Sequence, residues 1–203
     1  MGDKLEKTIL LVLALCFSSL IGMTLAQSDE VAGSSNLTIL KQDTGSNFTM
    51  YTASSDWGID SFVVGEAVKF TAPKPDWKLL QIRVLGWNGF NETSRTVPAP
   101  SDFLIEVRDD KLNLLYRLAD TQNAYFTISS PEFRGIDIPA LPLTGDFYII
   151  FYDRSTMSIG MELENGTGNS YFYTSTTGEL MPAVFTIENQ STNINWIIRA
   201  VGQ

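Results

Sequence analysis

The sequence predicts an all-β fold: a two-sheet antiparallel β-sandwich of jelly-roll type, preceded by an apolar amino-terminal helix. Three observations predict it. From Trp57 onward, short runs of β-branched and aromatic residues alternate with polar ones and are broken at intervals by Gly, Pro, Asn and Asp, the two-residue period of half-buried strands. No window of helical length beyond the amino terminus carries a 3.6-residue apolar period. About nine or ten short strands in roughly 145 residues suit a two-layer all-β domain.

The elements follow in chain order. Thr8 to Ala26 carries no charge and is dominated by Leu, Ile, Val, Ala and Met, with Lys4 and Lys7 before it. Ending in Thr24-Leu25-Ala26, a small-x-small cleavage site, it reads as a secretory signal over residues 1–26. The alternative is an uncleaved membrane anchor, since the segment just reaches the roughly 20 residues that cross a bilayer. Cys16 follows Leu15, where lipoprotein processing needs a small residue. Either way the remainder is expected outside the cytoplasm, extracellular or at the cell surface, touching a membrane only through this segment. Residues 27–56, rich in Ser, Asn, Thr, Gly and Asp, read as a polar linker, and residues 57–203 as the sandwich domain.

Within that domain the expected strands are Ala67–Thr71, Trp77–Trp87, Asp102–Arg108, Leu114–Leu118, Arg134–Ile138, Phe147–Tyr152, Ser158–Leu163, Ser170–Tyr173, Ala183–Ile187 and Asn195–Val201. In Asp102–Arg108, Phe103, Ile105 and Val107 alternate with Leu104, Glu106 and Arg108. The nearly continuous apolar run of Phe147–Tyr152 predicts a central strand covered on both faces.

Composition removes several functions. With 14 Lys+Arg against 23 Asp+Glu the formal charge is −9, which argues against a nucleic-acid partner. The absence of His excludes His-dependent triads and His-ligated metals, and one Cys excludes intrachain disulfides and thiolate clusters.

Three stretches and the carboxy terminus carry a family resemblance. They are Phe70-Thr71-Ala72-Pro73 leading into Trp77–Val84, Phe103–Asp109, Gly145–Tyr152, and Asn195–Gly202. Over about Trp57 to Gly202 the chain resembles an uncharacterised family of exported β-sandwich domains from methanogenic archaea and some bacteria, which themselves resemble carbohydrate-binding jelly rolls. The resemblance implies an extracytoplasmic module of a kind that accompanies peptidases or other surface domains. It brings no catalytic residues.

Candidate sites come from residue chemistry. A sugar-binding surface offers flat rings, so Trp57, Trp87 and Phe90 near strand ends, and Tyr171 with Tyr173 on one sheet face, are the candidate ligand contacts. The tyrosines form a platform only if their face is open. Trp77 and Trp196 read as core anchors. Asp109, Asp110 and Asn113 share one hairpin loop, and Asp56 with Asp60 brackets Trp57-Gly58. Such oxygens suit Ca²⁺, with a plain Asx-stabilised turn as the rival for the hairpin. Sequons at Asn36, Asn47, Asn91, Asn165 and Asn189 are the candidate glycosylation positions. Arg199, in an apolar strand, is expected to face outward or pair with an acid.

The expected function is a non-catalytic secreted or surface-tethered module with a binding or structural role toward a carbohydrate, an envelope polymer or a surface protein, without a cofactor unless Ca²⁺. Two alternatives stand beside it. One is a glycan hydrolase using two carboxylates among Glu106, Asp146, Glu162 and Glu164; the other is an interaction subunit of a surface assembly.

Overall fold

A computed structural model of the chain describes residues 37–53, 58, 61–187 and 190–203. The expected leader, Asn36, Asp56, Trp57, Asp60 and Asn189 lie outside the described residues. The described chain is nearly all β and its paired strands are antiparallel. In order, the elements are β1 (Thr38–Leu40), β2 (Phe48–Tyr51), β3 (Val64–Thr71), β4 (Trp77–Trp87), β5 (Asp102–Asp109), β6 (Leu114–Thr121), α1 (Gln122–Phe126), β7 (Glu132–Leu143), β8 (Asp146–Tyr152), β9 (Ser158–Glu162), β10 (Ser170–Thr174), β11 (Glu179–Pro182), β12 (Val184–Ile187), β13 (Gln190–Asn193), β14 (Asn195–Trp196) and β15 (Ile198–Gly202).

One sheet runs β1-β15-β4-β9-β14, with β2 on β9 and β7 on β4; the other runs β11-β10-β3-β8-β5-β6, and β12 and β13 form a separate hairpin. The inward residues of both sheets meet in one apolar core. Val68 and Phe70 of β3, Phe103, Ile105 and Val107 of β5, and Ile149 and Phe151 of β8 pack there with Leu79, Ile82 and Val84 of β4 and Ile198 and Ala200 of β15. The period-two alternation read from the sequence is what puts them on one side. Strand β8 lies between β3 and β5, and its other side chains, Ile150 and Tyr152, join Ala67, Leu104 and Tyr173 in a smaller apolar cluster on the outer face. That double burial explains its continuous apolar run.

Three differences from the sequence reading have clear physical causes. The stretch expected to be linker supplies β1 and β2, and its Tyr51 and Ala53 are buried. Tyr51 packs 5.1 Å from Trp196 and 6.1 Å from Phe172, while Asp43, itself buried, pairs with Arg199 at 2.5 Å. Two backbone ladders, the Asp43–Arg199 ion pair and hydrogen bonds from Gln42 and Thr44 hold the segment, with only a few buried apolar side chains to register in composition. Strand β7 runs on through Pro139 and Pro142, because it is an edge strand and proline there removes no needed donor. The last strand, read as continuous, divides at Ile197, which donates to Gly160 O and accepts from Leu85 N; β14 pairs with β9 and β15 with β4.

Candidate functional site

Long loops gather at the end of the sandwich where β4 finishes. Gly86, near that end, packs against Met157 and Phe126: a Cβ there would stand 2.6 Å from the methionine and 2.8 Å from the ring. The lack of a side chain therefore lets α1 lie close against β4. Asn88, wholly buried, then locks two loops together. Its amide nitrogen donates to Asn123 Oδ1 and Thr127 Oγ1, each at 2.9 Å, and its side-chain oxygen accepts from the Phe90 backbone N–H at 3.2 Å. Trp87 adds a third tie, its indole N–H donating to Ile128 O at 2.8 Å.

Between these loops and the start of β7 is a cleft of about 450 Å³, lined by Phe90, Thr127, Ser129, Ser130, Glu132 and Arg134 among others. Arg134 and Glu132 form an ion pair, so the lining carries no net charge from its ionised groups. The Arg134 Nε is buried without a hydrogen-bond partner among the described residues. A fixed guanidinium donor, a carboxylate, several hydroxyls and a half-buried ring can together bind a polyhydroxylated ligand edge-on and face-on. Another cleft, of about 400 Å³, is lined by Lys74, Asp76, Lys78 and Gln203 and has no aromatic ring in its lining.

No family model and no curated protein matches the chain. Among solved structures, a clostridial cysteine protease after propeptide cleavage aligns with 84% of this chain and 41% of its own, at 12% identity and a TM-score of 0.48. The chain thus spans well under half of that protein's length.

The other aromatic candidates are placed differently from one another. Trp77 and Trp196 are buried in the core, the latter donating its indole N–H to Tyr171 O at 3.0 Å. Tyr171 is half-buried and meets Tyr148 edge-on, with ring centroids 6.0 Å apart. Tyr173 is only 2% exposed, with the Arg108 guanidinium 5.0 Å over its ring. The condition for a Tyr171–Tyr173 platform, an open face, is not met at Tyr173.

Three of the four candidate acids are engaged by neighbouring groups. Burial would raise Glu106, but the guanidiniums of Arg108 and Arg117 outweigh it and hold the carboxyl below its usual range. Burial likewise opposes ionisation of Glu162, and hydrogen bonds from Thr44 and Asn195 prevail and lower it. Asp146 is lowered by Lys69 and Thr71, and Glu164 is exposed. In the hairpin, Asp109 accepts from Lys111 N, Asn113 N and Asn113 Nδ2 at 2.8–2.9 Å, an Asx-stabilised turn. Among the described residues no three His, Cys, Asp or Glu side chains are grouped to hold a metal. Asn47, Asn91 and Asn165 are exposed in loops.

Sequence reasoning missed a buried acid pair. Glu66 lies on β3 in line with Val64 and Val68, facing the core, and is completely buried, as is Asp153 just past β8 to within 1%. Burial, with the neighbouring Asp153 carboxylate, pushes the Glu66 carboxyl well above its usual range. The alternation of β3 already put a carboxyl on the apolar side; that was the available signal.

Proposed function

We propose that this chain is an exported, non-catalytic β-sandwich module of jelly-roll type that binds a neutral carbohydrate in the cleft between Phe90 and Arg134. The supporting observation is the lining itself: an ion pair that cancels, hydroxyls from Thr127, Ser129 and Ser130, a ring at Phe90, and the partly exposed Arg134 guanidinium. The Asn88 and Trp87 hydrogen bonds support it further, because a cleft fixed before binding loses less entropy on binding. A carboxylate-driven hydrolysis has less support, since Glu106, Asp146 and Glu162 are held by cations or hydrogen bonds and the Glu66–Asp153 pair is sealed in the core. The exposed sequons agree with an extracytoplasmic setting, as does the resemblance to exported domains.

The test is a glycan array followed by titration calorimetry with envelope polysaccharides. A hit whose affinity falls at least about tenfold in Phe90→Ala and in Arg134→Ala, about 1.4 kcal/mol each, with thermal stability retained, is the expected result. Absence of any glycan ligand, or a hit indifferent to both substitutions, overturns the reading.

A further inference from the structure

Strand edges in a sandwich are a hazard unless they are covered, shortened or interrupted. In this molecule most of them are. Strand β7 carries Pro139 and Pro142, β11 has four residues and ends in Pro182, and β1 and β2 have three and four residues. Strand β6 is the least protected: eight residues without Gly or Pro, bulged at Leu115 but regular from Tyr116 to Thr121, terminal in its sheet, none of them buried, and with Leu114 and Leu115 exposed by 44% and 42%. Among the described residues nothing pairs with its outer edge.

The ladder fixes which backbone groups that edge presents. Gln122 N donates to Ser101 O at 2.9 Å, flanking the pair Asp102–Thr121. In an antiparallel ladder this makes Asp102–Thr121 a non-hydrogen-bonded pair, and pairs alternate from there. Thr121, Ala119 and Arg117 therefore turn their N–H and C=O groups outward, and the Thr121 N–H is taken by its neighbour Asp120 at 2.7 Å. Arg117 and Ala119 keep theirs.

We propose that β6 is a homodimer edge, pairing antiparallel with β6 of a second copy about a twofold axis at Leu118. Only a residue-centred axis keeps each sheet face continuous. Centring on Arg117 sets two guanidiniums opposite one another; centring on Ala119 sets Asp120 against Leu118. Centring on Leu118 gives Arg117 opposite Ala119 of the other copy, both with free backbone groups, so that four hydrogen bonds form in two symmetric pairs. On the inner side Leu118 meets its own counterpart and Tyr116 faces Asp120, and no like charges meet. The sequence is thus self-complementary in this register, as an isologous interface requires.

The test uses the full chain with Cys16→Ser. At the axis, a non-hydrogen-bonded pair has Cα atoms about 4.5 Å apart, within disulfide reach. Leu118→Cys is expected to cross-link under mild oxidation roughly tenfold more than Leu114→Cys, whose two copies would lie about 27 Å apart along the strands. Adding Ala119→Pro, which removes an outward N–H and no internal ladder bond, should abolish the cross-link. Ala119→Arg, which sets like charges opposite Arg117 on an exposed position, should do the same in a chain of unchanged thermal stability. Equal cross-linking at both cysteines, or a cross-link that survives both Ala119 substitutions, overturns the dimer. So does absence of cross-linking with the β6 amides protected from exchange, which would put a different chain or this chain's own amino-terminal segment on the edge.

Discussion

Glu66 is a carboxyl completely buried in an apolar environment. It sits among Val64, Val68 and Phe70 on the inward side of β3 with neither carboxylate oxygen hydrogen-bonded among the described residues, beside Asp153, whose Oδ2 accepts the Ala53 N–H at 3.0 Å. Its folded-state carboxyl is raised, first by burial and then by Asp153, so the native state holds a proton that the unfolded chain releases more readily. The sign follows: the stability this proton confers is whole below the unfolded carboxyl value and drains away as pH rises through the raised folded value. Glu66→Gln keeps the shape and removes the titration. Its melting temperature should therefore fall less than the parent's between about pH 5 and pH 9, the interval above the unfolded carboxyl value near 4.3, as read by differential scanning fluorimetry across that range. A parallel pH profile for the two proteins would mean that Glu66 is already ionised in the fold.

At the scale of elements, Trp87 couples the end of β4 to the loop that follows α1. Replacing it with Phe keeps the ring and deletes the donor to Ile128 O, a change of about 1 kcal/mol in a partly buried hydrogen bond. The loss should concentrate in residues 127–131, seen as faster amide exchange there, and weaken any cleft ligand by roughly fivefold through lost preorganisation; uniform exchange would assign Trp87 to packing alone. Elements were legible wherever alternation was strong. Strand β4 was read to both of its ends, and β5, β8, β9 and β10 to within a residue or two. The cleft was legible in part: Trp87 and Phe90 stood out as rings near a strand end, whereas Thr127, Ser129, Ser130 and Arg134 are ordinary polar residues of a distant loop and strand start. Only the fold brings them opposite Phe90. Short strands carried no pattern to find: β13 is wholly polar, and β11 is four mostly exposed residues, Glu179 to Pro182, without alternation.

For the whole molecule, the boundary of the domain matters most. A chain beginning at residue 57, where the composition changes, would lack β1, β2, Tyr51, Ala53 and Asp43. It would leave Arg199 without its carboxylate and open the ring cluster of Phe172, Phe185 and Trp196. Against a typical total stability of about 5–15 kcal/mol, that loss is expected to abolish a cooperative urea transition followed by tryptophan fluorescence. A truncated chain that unfolds cooperatively at nearly the parental midpoint would restore the linker reading. The two-layer all-β architecture, by contrast, was legible, because a shared core imposes the same alternation on every long strand that faces it.

Strand β15 lies between β1 and β4, with Thr38 opposite Gly202 and Leu40 opposite Ala200. The first described strand thus finds its partner in a strand far along the chain. Until that strand arrives, β1 has nothing to pair with and one long side of β4 is bare, so the large sheet closes only after synthesis of residues 198–202. Pairings this remote in sequence carry a high loop-closure cost and slow folding. The nascent chain must consequently be kept from aggregating along its open β4 side until β15 has been made, and a chain cut before β15 would remain in that state.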